Sequence, residues 1–248
     1  MTNKKYFRKE LLSDELSRPD WTSQNHREIS KLWLDKNECA DPEMNRIVMK
    51  ALSKLSQESV FTYPDLDTLY NKVAKFSKVL PEQVLITAGS DGAIRACFES
   101  CIEPGDRIVL SRPTFAMYNV YSKVYGANVS WLDYERSSNG PVLKVDKVVS
   151  VIKNTKPKMV CLPNPDSPTG TVFSLRDLRK IVDSAEEAES ITLIDEAYHP
   201  LYNLTVATWI NDYKNLIVVR SFSKAWGAAG LRVGYALAHK DTILLLHK

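Results

Sequence analysis

Four cysteines in 248 residues are too few, and too scattered, for a disulfide framework or a cysteine-rich metal site. They stand at positions 39, 97, 101 and 161. Cys97 and Cys101 lie one helical turn apart, but no second Cys or His pair completes a metal set, so free thiols in a reducing cytoplasm are expected. Nothing in the chain is rich in Gly, Ser or Pro, which excludes a long flexible linker or a low-complexity tail. Charge of one sign is also missing: 33 Lys and Arg against 30 Asp and Glu leave a net +3, with the signs interspersed. That balance carries no nucleic-acid or membrane-surface footprint. No apolar run reaches the length of a membrane span. Although Met1–Arg8 is basic, no apolar stretch follows it, so it does not read as a signal peptide.

What is present is alternation. Short apolar runs rich in β-branched residues are expected as strands at Gln83–Thr87, Asp106–Ser111, Asn128–Asp133, Lys158–Leu162, Ile191–Asp195, Asn215–Arg220 and Arg232–Ala238. Between them, helical spacing is seen over Ser90–Cys101, Ala116–Tyr125 and Ser174–Glu187. Strands that are apolar throughout belong to a sheet buried on both faces, so the pattern predicts a mainly parallel sheet in an α/β fold. The first sixty residues differ: Tyr6–Leu16 and Glu43–Leu55 are predicted helical, with Lys31–Ala40 extended between them. At the other end, Asp241–Lys248 begins an apolar helix with four consecutive aliphatics and neither an evident cap nor a packing partner.

Polar residues of chemical interest fall where the predicted strands end, the usual place for ligands in such sheets. Thr87-Ala88-Gly89-Ser90-Asp91-Gly92 joins a strand to a helix, and the free amides of Ser90, Asp91 and Gly92 can cradle a phosphate. Alone, that turn would be an ordinary loop. It gains meaning from Ser221-Phe222-Ser223-Lys224 after another strand, with Arg232 eight residues beyond the lysine. Arg232 supplies a bidentate cation and Ser221 a hydroxyl for the same anion. Asp195-Glu196-Ala197-Tyr198 closes the strand between these pieces, and Pro113-Thr114-Phe115-Ala116-Met117-Tyr118 and Asn164-Pro165-Asp166-Ser167-Pro168-Thr169-Gly170 close two more.

In the order and setting of these motifs the chain resembles the fold-type-I aminotransferases, and within them the histidinol-phosphate aminotransferase-like branch. The resemblance spans roughly residues 30 to 248. It implies a three-layer α/β/α domain whose last strand runs antiparallel to the rest, and pyridoxal 5'-phosphate as the cofactor. Lys224 is then the nucleophile and proton shuttle, Asp195 the acid beneath the pyridine nitrogen, and Tyr198 the phenol near the ring oxygen. Phe115 would stack on the ring. Ser167 stands where the family has an asparagine, and a serine reaches less far. Tyr63, in Tyr63-Pro64-Asp65, would touch the phosphate of a neighbouring subunit, which implies a homodimer. Asn37 and Tyr118 are expected beside the substrate.

The resemblance further divides the chain into an N-terminal arm and helix over residues 1–58, contributing to small-domain and dimer contacts, and a cofactor-binding domain over 59–248. It implies that a smaller C-terminal domain, source of the arginine for the substrate carboxylate, is absent. The expected activity is amino transfer between an amino acid, or an amino-alcohol phosphate such as histidinol phosphate, and a 2-oxo acid, in cytoplasmic amino-acid biosynthesis. Two other readings stand beside it: a decarboxylase or lyase of the same branch, and a catalytically silent protein of this fold.

Overall fold

The computed structural model describes residues 4–16, 28 and 30–248, so part of the arm assigned to residues 1–58, including Met1–Asn3, lies outside the described residues. Its elements are α1 (Pro42–Leu52), α2 (Glu58–Phe61), α3 (Asp67–Ser77), β1 (Val84–Thr87), α4 (Gly89–Cys101), β2 (Arg107–Arg112), α5 (Ala116–Val124), β3 (Asn128–Asp133), β4 (Glu135–Ser137), β5 (Gly140–Val142), α6 (Val145–Thr155), β6 (Met159–Pro163), α7 (Leu175–Glu187), β7 (Ile191–Asp195), β8 (Leu216–Ser221), β9 (Gly234–Ala238) and α8 (Lys240–Leu246). Seven strands form one sheet in the order β1-β9-β8-β7-β6-β2-β3, and β4 pairs with β5 as a separate hairpin. The pairs β2–β3, β2–β6, β6–β7 and β7–β8 are parallel. Only β9 opposes the others, antiparallel to β1 and to β8. This is the α/β architecture the alternation predicted.

Each face of the sheet carries its own core. Val160, Leu162, Ile194, Leu216 and Val218 face α3, α6 and α7, together with Val148, Ile152, Leu178 and Ile181. Their strand neighbours Met159, Cys161, Leu193, Ile217 and Val219 face the opposite way, against Ile94, Cys97, Phe98 and Tyr118 of α4 and α5. Burial on both faces is why these strands read as unbroken apolar runs. Ser174 caps α7 by accepting the Asp177 amide at 3.2 Å, and Asp41 caps α1 by accepting that of Glu43 at 3.0 Å, each worth about 1 kcal/mol.

Three expectations are corrected. Tyr6–Leu16 is not one helix but short 3-10 turns at Lys4–Tyr6, Lys9–Leu12 and Asp14–Leu16. The segment lies on the surface, held at Arg8, which donates to the Val124 carbonyl at 2.8 Å, and its second turn has no buried residue to favour one continuous helix. The helix expected over Glu43–Leu55 spans Pro42–Leu52, and none of its residues is buried, although its apolar stripe is real. The C-terminal helix does have a cap and a partner. The His239 side chain accepts the Asp241 amide, and Ile243 and Leu246 pack into the α4–α5 core, leaving Leu244 and Leu245 on the surface.

Candidate active site

Period-two geometry decides which side chains meet. Asp195 is the last residue of β7 and points to the α4–α5 side of the sheet, as Ser221 does at the end of β8. The N-terminus of α4 arrives on that side too. Its approach depends on Gly234 of β9, where a Cβ would stand 2.3 Å from the Gly89 carbonyl carbon and 2.4 Å from the Ser90 nitrogen. Gly89 itself adopts φ +78°, a conformation that favours glycine.

The result is a cavity of about 490 Å³ at the carboxyl ends of the strands. Ser90, Asp91, Ser221, Ser223, Lys224 and Arg232 form one part of its wall; Phe115, Ser167, Asp195 and Tyr198 form another, and Asn37 with its neighbours closes the rim. The site motifs thus converge on one space. Gly92 sits one step deeper in the first turn of α4 and does not line it.

Positive potential gathers at one end. No side chain caps α4, so its first amides stay available, unlike those of α1 and α7. The Arg232 guanidinium lies against Gly89, 3.0 Å from where a Cβ on that residue would be, and donates to the Ala229 carbonyl at 3.1 Å. Ser221 Oγ accepts the Ser223 amide at 3.0 Å, which orients the hydroxyl. The Tyr121 hydroxyl holds Asp91 at 2.9 Å. The Arg232 guanidinium, the Ser221 hydroxyl and the first amides of α4 suit a doubly charged phosphate.

The other end is acidic. Asp195 is 5% exposed, and burial pushes its carboxyl up from the ordinary 3.8 to about 6. Two donors work against that rise: the Ala197 amide at 2.9 Å and the Tyr118 hydroxyl at 3.2 Å. Lys224 donates to the Lys36 carbonyl, and Asn37 donates to the Tyr198 hydroxyl at 2.8 Å, so the segment 31–40, expected extended but bent at Asp35 and Lys36 with Asn37 at φ +52°, touches both residues. Asp166 is tied to Thr169 at 2.6 Å and Thr114 at 3.2 Å, which fixes the loop presenting Ser167.

Besides Gly92, two expected residues stand outside the cavity wall. Tyr118, expected beside the substrate, is fully buried and reaches the cavity only through Asp195, because its position on α5 turns the ring into the core. Tyr63 is fully exposed on the segment before α3 and does not line this cavity.

A pair that motif reading passed over lies on the opposite face of the sheet. Arg220 Nε and Nη2 donate to Glu196 Oε2 at 2.9 and 2.8 Å, with both side chains 2% exposed. Glu196 also accepts the Thr205 hydroxyl and the Val206 amide, each at 2.8 Å, so it closes the loop that carries Tyr198. The signal was visible: an arginine inside the apolar run Leu216–Ser221 requires a buried acid.

An open α/β sheet with a lysine, an acid and a phosphate-type cup around one cavity defines a class of cofactor-dependent transferase folds, and comparison agrees. The family described as aminotransferase class I and II matches residues 29–248, and the chain belongs to that family. It is 37% identical over 199 residues to a histidinol-phosphate aminotransferase of Thermoanaerobacter sp. (strain X514), covering 80% of this chain and 55% of the relative. In structure it resembles the histidinol-phosphate aminotransferase of Sinorhizobium meliloti solved with pyridoxal-5'-phosphate, with a TM-score of 0.72 at 23% identity over 86% of this chain and 57% of that one. The L-threonine-O-3-phosphate decarboxylase of Porphyromonas gingivalis shares the fold as well, with a TM-score of 0.66 at 22% identity over 84% of this chain and 62% of that one. The chain therefore spans little more than half the length of the relatives it matches.

Proposed function

We propose that this chain is the cofactor-binding part of a pyridoxal phosphate-dependent aminotransferase that moves an amino group between an amino acid, or an amino-alcohol phosphate such as histidinol phosphate, and a 2-oxo acid. The observation that carries the reading is that a single cavity is lined by Arg232, Ser221 and the start of α4 together with the buried acid Asp195 and with Lys224. The donor set fits the cofactor. The cationic end suits its phosphate, the flat Phe115 side chain suits its ring, and a buried carboxylate suits a protonated ring nitrogen.

When bound, the cofactor supplies an electron-poor ring that accepts the electron pair released at the substrate Cα. The chain's own residues do the rest. Lys224 Nζ would provide the covalent attachment point and, when free, would take the proton from the substrate Cα and deliver it to the cofactor's aldehyde carbon, which keeps the amino group. Asp195 would hold the ring nitrogen and keep it protonated. Tyr198, steadied by Asn37, is a hydrogen-bond donor for the ring oxygen, with Ser167 nearby. Ser90 and Asp91 would offer amides to the phosphate.

Full exposure of Tyr63 is in keeping with a homodimer in which that phenol serves the neighbouring subunit, with residues 1–58 acting as an arm beside the cofactor domain of 59–248. The unpaired cysteines suit a cytoplasmic setting.

The test is a donor half-reaction. The chain loaded with pyridoxal phosphate and given an amino donor should convert it to the 2-oxo acid in single turnover, and Lys224→Ala should not. Release of carbon dioxide in place of the 2-oxo acid would assign a decarboxylase, and loading without any turnover would favour a silent binding protein.

A further inference from the structure

Tyr118 lies in the first turn of α5 with no exposed surface, and its hydroxyl reaches Asp195 Oδ2 at 3.2 Å. We infer that Tyr118 is a positioning residue that holds the Asp195 carboxylate ionised and aimed into the cavity, a role that rests on Asp195 facing the cofactor ring as proposed above.

Packing alone does not call for a tyrosine there. A phenylalanine would fill the same core among Phe98, Cys97 and Cys161 and keep the edge-on contact with Phe115, whose ring centre lies 6.2 Å away. The hydroxyl adds a donor, and a buried donor needs a partner. That partner is a carboxylate in dry surroundings, where such a bond is stronger than in water. Donation to the ionised form favours ionisation.

The other groups around Asp195 do not substitute for it. Glu196 beside it and Asp166 beyond β6 are acids, which oppose its ionisation. Cys161 on β6 and Cys97 on α4 are thiols that burial holds neutral. The cations Lys224 and Arg232 share the cavity, but Lys224 donates to the Lys36 carbonyl and Arg232 to the Ala229 carbonyl and, at 3.4 Å, to the Ser223 hydroxyl. The Ala197 amide serves the other oxygen, Oδ1, so without Tyr118 the Oδ2 atom loses its protein donor. Burial and the adjacent carboxylate also raise the Tyr118 phenol well above its ordinary value, so it stays a donor across the working pH range.

The experiment follows the Asp195 carboxyl by carbon NMR in the chain without added cofactor, its signal assigned by loss in Asp195→Asn. Tyr118→Phe should raise the Asp195 pKa by about one pH unit, a tenfold gain in proton affinity. Replacing Tyr118 by 3-fluorotyrosine, a stronger donor of nearly the same shape, should lower it. Unchanged titration in both proteins overturns the role; if Tyr118→Phe fails to fold, the fluorotyrosine protein decides alone. Because the readout needs no cofactor, a chain that shows these shifts but never binds pyridoxal phosphate retires the functional reading and leaves the Tyr118–Asp195 coupling standing.

Discussion

Asp195 and Glu196 are consecutive buried acids, and the two faces of the sheet treat them in opposite ways. On the α3–α7 face Glu196 meets an arginine, a hydroxyl and a backbone amide. On the α4–α5 face Asp195 meets one amide and one neutral phenol, and its carboxyl rises to about 6. The chain therefore contains the means to neutralise a buried acid and withholds them one residue away. A structural carboxylate is matched inside the protein, whereas a carboxylate left short of positive charge is matched by what enters the cavity. The difference separates scaffold from site without reference to any relative.

That contrast can be broken from either face. The largest effect should come from Arg220→Met, which strands Glu196 in the core and should cost about 3–5 kcal/mol of stability, read by denaturant unfolding. A loss near zero would mean that Glu196 is solvated or protonated and that the contrast does not exist. The other face should respond in the opposite direction. Asp195 has a raised value in the folded chain, so its contribution to stability is present below about 4 and is lost as pH rises to about 6. Without cofactor, Asp195→Asn should therefore be more stable than the wild type at pH 8, by about 1–2 kcal/mol, with the gap closing by pH 4. The same substitution should abolish most amino transfer, so stability and activity move apart.

His199 tests the acid limb of the same comparison. It follows Tyr198, stacks edge-on against Phe76 and is held down to about 4 by burial and by Arg220. Its neutral form is the folded one, so the wild type should lose stability as pH falls from about 6.5 to about 4. His199→Phe should remove about 1 kcal/mol of that loss at pH 5, measured against wild type across the range. Smallest is Ser167→Asn, which adds one longer hydrogen-bonding side chain to the cavity wall. It should tighten pyridoxal phosphate retention by about 0.5–1.5 kcal/mol, seen in the cofactor off-rate, and leave the apo stability unchanged.

Much of the cavity is legible in the sequence. The fully apolar strands announced a sheet buried on both faces, and strand ends then located Asp195, Ser221 and Lys224. What escaped notice depended on which face a side chain takes. Tyr118 is three residues past Phe115, and nothing local says that one ring lines the cavity while the other turns inward to Asp195. Gly234 reads as an ordinary strand glycine until α4 is seen to pass within contact of its backbone. Tyr6–Leu16 failed as a helix because an apolar pattern without a core to bury it does not select helix over successive turns. The aliphatic end at Ile243–Leu246 found its partner in α4, a non-local contact that periodicity cannot supply.

On the proposed function, Lys224 is the residue that should hold the cofactor in the cavity shared with Asp195 and Arg232. Loading the purified chain with pyridoxal phosphate, reducing it with borohydride and mapping the modified peptide by mass spectrometry tests that claim directly. The modification should fall on Lys224 and be lost in Lys224→Ala. A modification that persists on another lysine in that variant, or none at all in the wild-type chain, would contradict it.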